Sequence, residues 1–247
     1  MKKCRLCGKE AKLTEEHIPP RAAFNDEKRK LARDKDSLDI ILGEKNLEEV
    51  KGYHKKGQTF KTLCSNCNSF LGTEYVSEYV RLAINLMNSY KNEGHLPKPD
   101  TWYFIEIPMK PLNFLKQVLS MFCSTVAEGF SEEFDFKDYI LNKEMNGNFS
   151  NKYKVGMYGF VGKQGYIGGP AVQMNIHSNR TDVVCNIEFI PFGFMLVNKE
   201  FEFADGIIDL DTLKDAEYNK ESKLRFEFGI FDTMSPLDLF RRQGSNP

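Results

Sequence analysis

Four of the six cysteines fall in two Cys-x-x-Cys pairs, Cys4/Cys7 and Cys64/Cys67. A Cys-x-x-Cys turn lets two sulfurs converge on one ion, and two such turns complete the tetrahedral thiolate set that structural zinc takes. Gly8, directly after Cys7, suits the turn of a knuckle. The 56 residues between Cys7 and Cys64 exceed the spacing of a simple zinc ribbon, so the intervening chain must leave the staple and return to it. A redox pair would open a helix after a strand, and Cys4 has no preceding strand. The expectation is one structural Zn²⁺ held by Cys4, Cys7, Cys64 and Cys67. Cys123 and Cys185 stand alone in apolar surroundings and read as core residues.

A second group of polar residues sits beside these pairs. Between them lies LTEEHIPPRAAF, residues 13–24, in which Glu16 and His17 precede Ile18-Pro19-Pro20. The second pair continues as TLCSNCNSFLG, residues 62–72, with Asn68 directly after Cys67. A neutral imidazole can take a proton from water near pH 7. Carboxylate and amide oxygens suit a hard cation such as Mg²⁺ or Mn²⁺, which neutralises phosphate charge. Each residue also has an ordinary alternative: Glu16 a solvated charge, His17 a structural histidine, Asn68 a helix cap.

Taken in order, the first knuckle, the Glu-His-Ile-Pro-Pro segment and Leu-Cys-x-x-Cys-Asn-x-x-x-Gly resemble the HNH endonucleases. The resemblance covers roughly residues 4–72. It implies a ββα-metal fold, with Glu16 as one ligand of a catalytic divalent metal, His17 as the general base and Asn68 as the second ligand. The family's middle Asn has no counterpart before the second knuckle, where the chain reads GQTFK from residue 57 to 61; Gln58 or Thr59 is the substitute to look for. Neighbouring residues on a regular strand point to opposite faces, so Glu16 and His17 require a bent strand or an approach from two sides. Arg21 and Lys61 flank the group and are candidates for phosphate contact or plain surface solvation.

These residues need elements to position them. GQTFKTL, residues 57–63, alternates enough for a short strand. Residues 65–90 read as helix with a break near Gly72, since Tyr75, Val76, Tyr79, Val80, Ala83, Met87 and Tyr90 recur at helical spacing. Residues 25–56 are dense in charge and read as an insertion with short helices or a loop; His54 within it is expected to face solvent. NEGHLPKPD, residues 92–100, is the expected domain boundary. It divides a zinc-stapled module, 1–91, from an α+β domain, 100–247. In the second part, TWYFIEI reads as a strand, and residues 111–128 as a helix closed by Gly129. That helix carries an apolar stripe of Leu112, Leu115, Val118, Leu119, Phe122 and Val126. Five aromatic and β-branched runs follow, at 153–161, 171–176, 183–190, 194–197 and 224–231, and suggest a mainly antiparallel sheet with the helix on one face. His95 and His177 have no motif around them.

Composition is that of a globular protein, with 41% hydrophobic and 28% charged residues. No apolar run approaches the roughly 20 residues that cross a bilayer. The basic start, residues 1–13, lacks the apolar stretch of a signal peptide, so the expectation is a cytoplasmic protein. Residues 1–72 hold 16 Lys and Arg against 11 Asp and Glu, whereas the remainder holds 18 against 24. The first third is thus the better face for phosphate. The expected partner is nucleic acid, DNA ahead of RNA, cut by an endonuclease. Residues 100–247 would restrain it, oligomerise or sense a trigger, as in phage-defence or restriction systems. The alternative is a zinc-stapled module that binds nucleic acid without cutting, with a sensor or scaffold behind it.

Overall fold

The computed structural model describes residues 1–26, 28–31, 53–162, 165–175 and 180–232; for 28–31, 53–56, 173–175 and 180–182 it describes backbone alone. The first knuckle is closed by a short antiparallel pair, β1 (Lys2–Lys3) and β2 (Glu10–Ala11). Next comes β3 (Leu13–His17), which pairs antiparallel with β6 (Thr59–Cys64). Between them, β4 (Lys28–Leu31) and β5 (Tyr53–Lys56) form a separate antiparallel ladder. The ends of the charged insertion are therefore strands where short helices or a loop were expected, and residues 32–52 lie outside the described residues.

Helix α1 (Ser65–Glu74) begins directly after Cys64 and is followed by α2 (Val76–Asn92). The break falls at Tyr75, not near Gly72. Tyr75 leaves helical geometry (φ −127°, ψ −35°) while its N–H still bonds the Leu71 carbonyl at 3.0 Å. Its fully buried ring carries a hydroxyl that donates to the Ile140 carbonyl at 2.8 Å. A tertiary anchor, rather than glycine's conformational freedom, sets this break.

Strand β7 (Trp102–Met109) leads into α3 (Pro111–Thr125), with proline in the first turn, where its missing N–H is not needed. Short helices α4 (Glu128–Glu132) and α5 (Lys137–Leu141) follow. Then come β8 (Tyr153–Phe160), β9 (Ile167–Asn175), β10 (Arg180–Phe189), β11 (Phe192–Asn198), β12 (Ile208–Asp209) and β13 (Ser222–Phe231). They build a seven-stranded sheet in the order β7-β13-β8-β11-β10-β9, with β12 beside β8. Every pairing is antiparallel except that of β13 with β8. The chain is thus mixed α+β with a mainly antiparallel sheet.

Helix α3 is central. Every residue except Thr125 is buried, because α2, β6 and α5 pack around it together with β9, β10 and a 3₁₀ turn at Leu210–Leu213. An apolar stripe on one sheet face was expected; a helix enclosed on all sides is found. It also ends earlier, at Thr125. Val126 is extended (φ −80°, ψ 167°), and Gly129 belongs to α4.

The apolar core runs without interruption across residues 92–100. One buried cluster joins Leu63, Tyr79, Leu82 and Leu86 to Phe114, Phe122, Phe194 and Ile230. The Tyr79 ring stacks on Phe114 at 6.3 Å and meets Phe192 and Phe194 at 6.0 and 5.9 Å. Each such side chain contributes about 1.5–3 kcal/mol by leaving water, so parting α2 from α3 and the sheet would be costly. Among the described residues no helix is long and apolar enough to cross a membrane.

Candidate functional site

The four paired cysteines converge. Their sulfurs all lie within 4.8 Å of one another, and the Cys7 and Cys64 sulfurs are 3.9 Å apart. Tetrahedral zinc with bonds of about 2.3 Å sets its sulfurs roughly 3.8 Å apart, so the group could hold a zinc ion. The knuckle supplies the local reason. The Gly8 N–H returns to the Cys4 carbonyl at 2.8 Å, with Gly8 at φ +72°, and the Cys64 N–H points at the Cys4 sulfur at 3.3 Å. A hydrogen bond from Cys67, aided by backbone N–H groups, holds the Cys4 thiol down at about 4; burial raises it less. Cys67 is pushed far up, chiefly by that same bond to Cys4. Four clustered thiols cannot all ionise beside one another without a cation. Arg5, inside the knuckle, donates to the Ser124 and Val126 carbonyls at 3.0 and 2.6 Å. A guanidinium on the last carbonyls of α3 docks the staple onto that helix.

A cleft of about 230 Å³ opens beside the staple, lined by Glu16, His17, Arg21 and Asn68 and, from α3, by Gln117 and Ser120. The β3–β6 pair supplies the bend that adjacent Glu16 and His17 require. Its register shifts between Thr14 and Glu16, so two β6 residues, Lys61 and Thr62, face Glu15 alone. Glu16 is 9% exposed and turns inward. Its Oε1 accepts from the Thr62 hydroxyl at 2.7 Å and the Ser124 hydroxyl at 2.5 Å. Burial pushes the Glu16 carboxyl up to about 7, with those two hydroxyls pulling the other way. Asn68, on the first turn of α1, donates through Nδ2 to Thr14 Oγ1 at 3.2 Å and to the Glu15 carbonyl at 3.1 Å. Among the described residues, Glu16 Oε2 and Asn68 Oδ1 receive no donor, so one oxygen of each remains for a ligand.

His17 is half-buried at the end of β3, opposite Thr59. Gly57 lies against it: at φ +73° it adopts a conformation that side chains resist, and an added Cβ would fall 2.9 Å from the imidazole Cδ2 and 2.2 Å from the Asn25 carbonyl oxygen. Neither Gln58 nor Thr59 hydrogen-bonds the imidazole among the described residues. The Thr59 hydroxyl is buried and has no partner among them. Arg21 is exposed in the lining of the cleft, whereas Lys61 is exposed on the bulge and outside that lining.

Several residues here escaped sequence reasoning. Asn25 is fully buried and bonds the Pro19 carbonyl and both backbone groups of Gln58; within a charged run, one Asn carries no visible signal. Thr62 and Ser124 orient Glu16. Ser124 and Gln117 belong to a polar series on α3, Asn113, Gln117, Ser120 and Ser124, whose 4-3-4 spacing was readable in the sequence but hidden beside the apolar stripe. Cys123 and Cys185 are buried, and burial pushes each thiol up to about 12. His95 is exposed and meets the Leu96 carbonyl at 3.1 Å; the side chain of His54 and all of His177 lie outside the described residues. Comparison with protein-family models, with curated proteins and with solved structures finds no match.

Proposed function

We propose that this chain is a metal-dependent endonuclease of the HNH type, hydrolysing phosphodiester bonds in nucleic acid, with DNA favoured. The observation that carries the proposal is the meeting of Glu16, His17 and Asn68 in one cleft, on two paired strands and a helix that the cysteine cluster pins together. In this reading, Cys4, Cys7, Cys64 and Cys67 hold a structural Zn²⁺ that preorganises the site. Glu16 Oε2 and Asn68 Oδ1 would hold Mg²⁺ or Mn²⁺, for which an all-oxygen donor set is suited. When bound, such a cation neutralises the phosphoryl oxygens and the leaving 3′ oxygen. His17 takes the proton of the attacking water, its ring seated against Gly57. Thr59 lies opposite His17 on the strand pair without bonding the imidazole, so the ring is positioned here by its packing against Gly57 rather than by a counterpart of the family's middle Asn. Thr62 and Ser124 fix the Glu16 carboxylate. Arg21, at the cleft, pairs with a phosphate. A free nuclease endangers its own cell, so a restraining or trigger-sensing role for residues 100–247, as in a defence system, accompanies this proposal.

One observation favours the second reading, a zinc-stapled module that binds nucleic acid without cutting: the Glu16 carboxyl is buried and held by two hydroxyls, as a structural group would be. Incubating the purified chain with supercoiled DNA, linear DNA and RNA, with Mg²⁺, Mn²⁺ or excess chelator, separates the two. The nuclease should cut with metal and stop in chelator while zinc stays bound. Retained binding with no cleavage under any metal would establish the binding module instead.

A further inference from the structure

We propose that Gln117, carried by α3, is a third protein ligand of the divalent cation held by Glu16 and Asn68; this rests on the nuclease proposal above. Asn113, Gln117, Ser120 and Ser124 share one face of α3 and are 1%, 5%, 2% and 0% exposed. Three of the four are satisfied. Asn113 bonds the Glu74 carbonyl and Asn219. The Ser120 hydroxyl returns to the Gln117 backbone carbonyl at 2.7 Å, and Ser124 serves Glu16. The Gln117 side-chain oxygen is enclosed and has no hydrogen-bond partner among the described residues. Buried carbonyl oxygens left without a donor are rare in native proteins and call for an explanation.

Its location supplies one. Gln117 lines the same cleft as Glu16, His17 and Asn68. The backbone of DNA, the favoured substrate, has no N–H or O–H to offer a carbonyl oxygen, and the one hydroxyl beside it on α3, that of Ser120, is already committed. A hard cation is what side-chain oxygens of Glu16, Asn68 and Gln117, three residues that line one cleft, can share, and amide oxygens are accepted ligands of such ions. The cation would then join β3, α1 and α3, tying the N-terminal strands to the central helix.

The test is Mn²⁺ binding to the zinc-loaded full chain without nucleic acid, read as free Mn²⁺ by electron paramagnetic resonance. Glu16→Ala and Asn68→Ala serve as references. Gln117→Met, similar in shape but without the amide, should weaken Mn²⁺ binding at least about tenfold, with zinc content and circular dichroism unchanged. Gln117→Glu should tighten it, since a second carboxylate beside Glu16 is repelled until a cation arrives. If Gln117→Met does not fold, Gln117→Glu decides alone, and unchanged affinity there overturns the proposal. If Glu16→Ala and Asn68→Ala weaken binding while both Gln117 variants match wild type, Gln117 is no ligand and the nuclease proposal stands. If the wild-type chain binds no Mn²⁺ at millimolar concentration, both fall.

Discussion

Replacing Asn25 with alanine removes the side chain that ties the segment after β3 to the start of β6. Asn25 Nδ2 donates to the Pro19 carbonyl at 2.7 Å and to the Gln58 carbonyl at 2.9 Å, while Oδ1 accepts the Gln58 N–H at 2.6 Å. The Gln58 carbonyl keeps a second donor, the Ile18 N–H at 3.0 Å. Two backbone groups, the Pro19 C=O and the Gln58 N–H, therefore lose their bond to Asn25. Each unpaired buried group costs about 1–3 kcal/mol, so the range is about 2–6 kcal/mol. Water entering the vacated space holds the expected loss near the lower end, about 3 kcal/mol. Urea unfolding of the zinc-loaded protein measures the total, and amide hydrogen exchange at Gln58 and Ile18 locates it. Cleavage should fall as well, because the Asn25 carbonyl and the His17 ring both pack on Gly57. Asn25→Asp should be no better than alanine, since it sets a carboxylate against two carbonyls. A loss under about 0.5 kcal/mol, the ordinary scatter of a neutral substitution, with Gln58 still protected from exchange, would refute this account of the site's support.

Three further outcomes are expected. Cys64→Ser should release zinc and unfold the strands and helix around the staple, because structural zinc contributes about 10 kcal/mol or more to folding; native protein free of zinc by elemental analysis would contradict it. His17→Ala should lower cleavage by roughly 10²–10⁴-fold with zinc content and fold unchanged, and near wild-type cutting would show that another group is the base. Ser124→Ala removes one of two hydroxyls from Glu16 and should raise the Mn²⁺ concentration for half-maximal cleavage by about tenfold. The rate at saturating Mn²⁺ should hold in that variant; a loss of maximal rate with unchanged metal dependence would assign Ser124 a different role.

Local chemistry was legible in the chain itself. Two Cys-x-x-Cys pairs pointed to the four-sulfur cluster, because each pair is built by neighbouring residues and two pairs make up the four thiolates a tetrahedral zinc site takes. The aromatic and β-branched runs at 153–161 and 224–231 and the helical pattern over 111–128 correspond to strands 153–160 and 222–231 and helix 111–125, because such patterns report the face each residue turns to its neighbours. Everything that depends on which surface arrives from elsewhere was not legible. The strand ladder at the base of the insertion needs two segments more than twenty residues apart to pair, and neither announces its partner. Asn25, Thr62 and Ser124 became part of the site only when β6 and α3 closed over Glu16. The helical break moved from Gly72 to Tyr75 because a hydroxyl found the Ile140 carbonyl 65 residues away. Sequence thus carried the two cysteine pairs and the order of Glu16, His17 and Asn68 between and after them. Only tertiary structure decided that a buried helix from the second half of the chain forms a wall of the cleft, since the burial that orphans Gln117 and clamps Glu16 belongs to the packing of α3 on all sides at once.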